Sequence, residues 1–454
     1  MEKKKQTGLG ARISLLIWTL GLAGQIGWSI EGQWFNNFVY EKIDKDPTII
    51  TAMLIASAAA TTIATFIFGT IADRTGKRRT LINIGYIAMG IITIAFGYTE
   101  FLGKEFYLLA CISVVLGDML VSLFGAMGIE SGFNTWTTDI MTDSNRGQVS
   151  GIVAIQTVLS TVLCGVFGSL LIGKDNNYIR LFTVVGCVLI IFGVLSGFFM
   201  GKKDDVEPSV RGTFTKQLTD IFNFKQFSAS RELLLIYIAT TIYFAGFDSY
   251  FMYLGNYLIH YLEYSANMIG IIEAIPLILS MLIAVPIANL INKKLHFLVT
   301  VIAILSAICG MFFMAAIQPD EINPENLIDI RVFMGILLLG VGYVVMLQAM
   351  KAWTKELYPE NSKGQFEGMW IVFFSLFPML LGSLISQLTI KKIGYVVVKY
   401  FFGPTEYIPN ENLFIVGVLV SCLSIIPICF AYRHLLARNA EKKESKPNKK
   451  KKSR

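Results

Sequence analysis

The sequence predicts an all-α integral membrane protein of twelve transmembrane helices arranged as two six-helix repeats. Three observations carry this. Charged residues make up only 16% of the 454, against roughly 25% in soluble proteins. Twelve apolar runs are each long enough to cross about 30 Å of hydrocarbon as a helix of about 20 residues. A set of residues recurs at a constant spacing between the two halves of the chain.

The runs lie near 13–39, 49–72, 80–98, 106–138, 148–173, 179–200, 231–258, 265–291, 296–317, 330–353, 366–390 and 412–434. The fourth is too long for a straight crossing, so a tilt or a projecting end is expected. No long strand-like alternation appears, which argues against a barrel. The start, MEKKK, is basic, but the apolar run behind it is a full span without a clear cleavage site, so no removed leader is expected. All six cysteines fall in apolar runs and are expected to pack rather than to pair or hold metal. No cofactor is expected.

Orientation follows from the cations. With twelve spans both termini share one side; 29 Lys and Arg lie on that side, nine on the other, and Lys351 lies inside a span. Cations stay cytoplasmic, so both ends are expected in the cytoplasm, with the protein in the cell membrane. The tail EKKESKPNKKKKSR reads as a basic, disordered segment drawn to anionic lipid, not as a nucleic-acid site.

The repeat pairs Trp136, Thr137, Arg146, Gly147, Gln148 and Gly151 with Trp353, Thr354, Lys363, Gly364, Gln365 and Gly368, every pair 217 positions apart. The acids Asp139 and Glu356 keep the same offset. ANLINKK at 288–294 answers ADRTGKR at 72–78 at an offset of 216. The domains are therefore read as a bundle over 1–200, a cytoplasmic linker over 201–230, a bundle over 231–438 and a tail over 439–454. In the linker, Phe214, Leu218, Ile221 and Phe222 share a helical face, which reads as an amphipathic helix on the membrane. Parallel repeats of this kind occur in carriers that bind their solute at the repeat interface.

After span two comes GTIADRTGKRR (69–79). The cations anchor a cytoplasmic loop, which leaves Gly69, Asp73 and Gly76 to explain. A small Gly69 permits close helix approach, Gly76 permits a tight reversal, and Asp73 suits a helix N-terminus, with the residues after Gly364 as its source. Together with the repeat, this loop resembles the major facilitator superfamily. Gly69, Asp73, Arg74, Gly76, Lys77 and Arg78 match that family's loop signature, and the resemblance implies a brace at the cytoplasmic gate, with Arg146, Gly147, Lys363 and Gly364 at the equivalent sites. FNTWTTD with NRG behind it (133–147) is similar to the glycoside-pentoside-hexuronide:cation symporters and sucrose-type carriers. Melibiose-type sodium symporters carry two aspartates on span two where this chain has Thr61 and Thr65, so their sodium site does not transfer.

Ionisable groups inside a bilayer cost about 2.5–3.5 kcal/mol on insertion scales and therefore face cavities or partners. Glu31, Asp118, Glu130, Asp248 and Lys351 fall on spans one, four, seven and ten, which line the cavity in the family resembled; Glu273 on span eight does not. These five are the candidates for cation coupling, with Glu130 and Lys351 as a possible pair across the repeat axis. In span one, Gln25, Trp28, Ser29, Gly32 and Asn36 share a face, with Glu31 and Trp34 beside it. Amides, carboxylates and an indole face suit a polyol, so Gln25, Trp28, Glu31, Asn36, Asp248 and Tyr250 are the candidate solute contacts. The same groups also serve as interhelical glue. The expected function is symport of a small polar solute, a sugar or glycoside first, with H⁺ or Na⁺, by a monomer. Alternatives are an exporter or lysolipid carrier of the same fold and a transport-incompetent receptor. A membrane enzyme lacks any supporting motif; the loop after span two has not the spacing of a phosphate loop.

Overall fold

A computed structural model describes residues 10–444 apart from 103–104, 143–144, 202–203, 209–211, 220–230, 294, 323–328, 359–368 and 399–404. Twelve helical spans are present among the described residues: Ala11–Ile43, Pro47–Thr75, Arg78–Leu102, Tyr107–Asp139, Gln148–Ile172, Tyr178–Phe199, Arg231–His260, Met268–Ile287, His296–Ala315, Ile330–Lys355, Met369–Ile393 and Asn412–Arg438. Each corresponds to a run read from the sequence. The last helix continues to Glu444, past the expected boundary at 438. Of the linker, Phe214–Thr219 is helical with Phe214 exposed, while Ile221 and Phe222 lie outside the described residues.

The helix ends obey local chemistry. Span two opens with Pro47 behind an Asp46 cap whose carboxylate accepts from Thr48 N at 2.8 Å, which satisfies one orphan amide of the first turn. It closes on Gly76 in the left-handed region, φ 68°, where a side chain would be strained. Among the described residues four stretches relax into π-helix: Glu31–Phe35, Val39–Ile43, Ala126–Asn134 and Val372–Leu376. The long fourth span thus absorbs its length partly as a wider coil. An inserted residue in a helix re-aims the side chains around it and often marks a functional segment.

The repeat is visible in three dimensions at one end of each half. Trp136 and Trp353 are both fully buried. Beside the first, Asp139 at the end of span four pairs with Arg78 at the start of span three, 2.9 Å. Beside the second, Glu356 just after span ten meets His296 at the start of span nine, 3.1 Å, and His296 stacks on Trp353. Each half therefore closes the same helix corner with an acid from the fourth helix and a base from the third.

The two halves are fastened on the face opposite the termini. Lys391 Nζ lies 3.0 Å from Asp46 Oδ1, and Lys45 Nζ lies 3.4 Å from Glu406. Gln387 donates to Thr48 Oγ1, Thr51 to Ser383 O, and Tyr253 OH to Pro47 O. A hairpin unforeseen in the sequence, Tyr395–Val398 with Thr405–Ile408, belongs to this seal: Tyr407 N donates to Lys45 O. Spans five and eight touch backbone to backbone at Gly165 and Gly270, where a Cβ on Gly270 would stand 1.7 Å from Gly165 O. Gly270 N also donates to Ser169 Oγ at 3.0 Å.

Partial burial pushes the Asp46 carboxyl up, but the two Thr48 donors and Lys391 together outweigh it and hold the group below the ordinary carboxylate range. A depressed carboxyl stabilises the folded contact above its unfolded value, about 3.9, and the contribution is lost as pH falls through the folded value. Asp46→Asn should therefore loosen the seal at neutral pH by about 0.2–1 kcal/mol, up to roughly fivefold in population. Spin-label distances across the hairpin face should show that shift in the variant. Little further change should appear in it on acidification, whereas the unaltered protein should open as pH drops below about 4.

Candidate functional site

Between the seal and the terminal face the halves part around a chamber of about 580 Å³. Its wall carries Glu31 and Trp28 from span one, Ser57, Thr61 and Thr65 from span two, Asp118, Ser122 and Glu130 from span four, and Lys351 from span ten. Phe35, Phe251, Trp370 and Phe374 supply aromatic faces. Two of the π stretches place their acids here: Glu31 opens the first, and Glu130 lies within that of span four. Trp28 fits because Gly125 leaves room for it; a Cβ there would stand 2.9 Å from the indole Cη2.

The chamber holds two polar groupings. In one, Ser122 Oγ donates to Glu31 Oε1, and Asp118, only 3% exposed, lies within hydrogen-bonding reach of both Glu31 and Ser57. The other Glu31 oxygen is buried and accepts from no N–H or hydroxyl donor. In the second, Asn134 donates to Glu130 at 2.9 Å, Trp28 lies within hydrogen-bonding reach of Glu130, and Lys351 adds an electrostatic attraction. The pairing of Glu130 with Lys351 read from the repeat thus corresponds to two groups facing one hollow.

A second chamber of about 350 Å³ lies chiefly within the latter half. Asp248 and Tyr250 line it, together with Glu273, which the sequence reading had set aside. The signal was available: Glu273 is a lone charge in an apolar span and incurs the same insertion cost as the other acids. The chambers share Phe251, Met252, Phe374, Ser375 and Met379. Gln25 lines neither. Asn36 borders the first chamber, but its amide is used to join the halves, donating to Met252 O at 3.1 Å.

At the loop after span two, Asp73 pairs with Arg78 at 2.9 Å, and Arg78 bridges on to Asp139. The latch is thus an acid–base–acid chain within one half. The expected partner beyond Gly364 lies outside the described residues, as do Lys363 and Gly364 themselves. Arg146 and Gly147 open the helix of span five. Arg74 donates to Gly212 O at 2.9 Å, and Lys77 precedes the first residue of span three. Gly76 is required twice over, by its positive φ and because a Cβ would stand 1.8 Å from Val206 O. Gly69 is not the close approach expected, since a Cβ there would meet nothing nearer than Ser131 Oγ at 3.9 Å.

The family model of the Major Facilitator Superfamily matches residues 13–345. The chain belongs to that superfamily. It is a multi-pass membrane transporter by family, with the bilayer and a small-molecule solute as its partners. Among curated proteins none matches it in sequence. Solved structures share its architecture: a point mutant of the nucleoside transporter NupG at TM-score 0.72 and 12% identity, over 92% of this chain and 100% of that one. A bacterial homolog of the human lysosomal transporter Spinster aligns at TM-score 0.64 and 13% identity, over 94% and 96%. A point mutant of the peptide transporter POT aligns at 0.65 and 12%, over 92% and 94%. At such identities the likeness is one of fold.

Arg78→Gln would leave Asp73 and Asp139, 48% and 24% exposed, without the buried base they share. Ion pairs to such accessible acids contribute about 0.2–1 kcal/mol each, so the variant should unfold at a modestly lower temperature in detergent. Gly76→Ala should also destabilise, through backbone strain and collision with Val206. A thermal unfolding midpoint unchanged in both would contradict the arrangement described.

Proposed function

We propose that this transporter moves a small polar organic solute, a sugar or glycoside in the first instance, together with protons. The halves rock about a site in the first chamber, and the termini face the cytoplasm, as the cation count on their side supports. On that reading the conformation described is sealed to the outside. The observation that carries proton coupling is the Glu31 and Asp118 carboxyl pair, which faces the chamber with serine hydroxyls around it. Two neighbouring carboxyls attract when they share one proton and repel when they hold none, so they titrate as a unit. Loading that proton favours the closed, desolvated arrangement, and releasing it favours one open to water. Coupling needs only such a difference in affinity between the two facings.

Sodium is less well supported, because Thr61 and Thr65 stand on the chamber wall in place of the acids that hold it in melibiose-type carriers. The polar and aromatic lining supports a hydroxylated solute: carboxylates and the Asn134 to Glu130 pair are matched to hydroxyl donors, and Trp28 offers an indole face to a ring. The exporter reading draws on the aromatic and methionine content of the second chamber.

In proteoliposomes bathed in a mixed sugar pool, a pH gradient should drive accumulation by the unaltered protein. Glu31→Gln and Asp118→Asn should each cut gradient-driven accumulation at least about tenfold, the effect of some 1.4 kcal/mol of lost coupling, while solute exchange without a gradient persists. Full gradient-driven uptake by both variants would remove the pair from coupling.

A further inference from the structure

The second chamber has a chemistry of its own. Asp248 on span seven and Glu273 on span eight both reach its wall, and neither carboxylate has a hydrogen-bond or ion-pair partner among the described residues. Among the described residues no Lys, Arg or His lines it. Asp248 is pressed forward by span eleven, whose Gly382 would place a Cβ 2.6 Å from the Asp248 Cβ. Tyr250, 1% exposed, also lines the chamber, and its hydroxyl is buried without a partner. The other wall hydroxyls that donate do so within their own spans: Ser280 to Leu277 O, Thr157 to Val153 O, Thr161 to Thr157 O and Ser375 to Met379 Sδ.

Around these oxygens stands an aromatic enclosure. Phe247 and Tyr343 lie 4.6 Å apart between ring centres, Phe244 and Tyr343 5.5 Å, and Phe244 and Phe374 4.8 Å. Ring faces attract a cation of low charge density, and more strongly where water is excluded. A bare metal ion needs a closed shell of oxygens, which two carboxylates and a phenol in about 350 Å³ do not provide. Two acids, an orphan phenol, ring walls and no basic group together describe a receptor for an ammonium group.

We propose that the second chamber binds the protonated amine of the transported solute, held by Asp248 and Glu273 and walled by Phe244, Phe247 and Tyr343. The inference rests on the carrier reading above and narrows its substrate to an amine-bearing, hydroxylated compound of the amino-sugar type. The shared residues between the chambers let one molecule span both, with hydroxyls among Trp28, Glu130 and Asn36 and the amine in the acidic recess. The amine makes charge-assisted hydrogen bonds to the carboxylates, which a neutral hydroxyl makes more weakly.

Binding to the purified full-length protein tests this without requiring flux. Thermal unfolding midpoints should be titrated with glucosamine and with N-acetylglucosamine, which keeps the ring but loses the charge, and with tetramethylammonium against equal sodium chloride. Glucosamine should bind at least about tenfold more tightly than its acetylated form, and tetramethylammonium should stabilise saturably where sodium does not. The double variant Asp248→Asn, Glu273→Gln should abolish both preferences, and Glu273→Asp alone should retain them, which separates lost charge from a damaged fold. Equal binding of glucosamine and N-acetylglucosamine by the unaltered protein overturns the ammonium site, as does a preference that survives in the double variant. Gradient-driven uptake of neutral sugars without any amine preference would remove this site and leave the carrier reading standing. An amine preference in binding with no flux of any probe would do the reverse.

Discussion

Ionised groups are costly inside a helix bundle that sits in oil, and the architecture of this chain follows from where it puts them. Glu31, Asp118, Glu130, Lys351, Asp248 and Glu273 all lie within spans, and all six border one of two joined hollows. Packed side by side against lipid, the same helices would strand these charges in hydrocarbon. The hollow is therefore less a gap in the packing than the condition under which such a sequence is tolerated in a membrane. The groups that make it necessary are also the ones that give it chemistry.

The rest of the bundle can be apolar and tightly joined because the acids are gathered in one place. The two halves repeat one corner joint, with Asp139 and Arg78 in the first half and Glu356 and His296 in the second. Between them the seal opposite the termini is made of small contributions: two ion pairs, a few hydroxyl donors, a hairpin edge and the Gly165 to Gly270 contact. Exposed pairs contribute little individually, which suits the parting of the halves that the proposed mechanism requires.

Much of this was legible in the sequence. The spans follow from hydropathy, and the repeat follows from the shared offset around Trp136 and Trp353. The cavity-facing acids follow from the cost of burying charge. What was not legible depends on contacts between distant segments. Glu31 and Asp118 sit on different spans, and nothing in local spacing says that they meet. The π turns that aim Glu31 and Glu130 inward have no hydrophobic period to announce them. Gly69 shows the opposite error: a small residue near a helix end invites a packing role, yet its surroundings leave space. The Tyr395–Val398 strand lies beyond the run that ends at 390 and has only 4 residues, too short for an alternation to show.

Among the described residues, the polypeptide joining the halves is tied to the first of them. Arg12 grips Asp204 with two bonds, at 3.0 and 2.6 Å, Arg79 holds Met200 O, Val206 N is fixed to Gly76 O, and Arg74 holds Gly212 O. Every one of these moorings belongs to the first half. On the rocking motion proposed above, the connecting segment as far as Gly212 would travel with the first bundle rather than with the second.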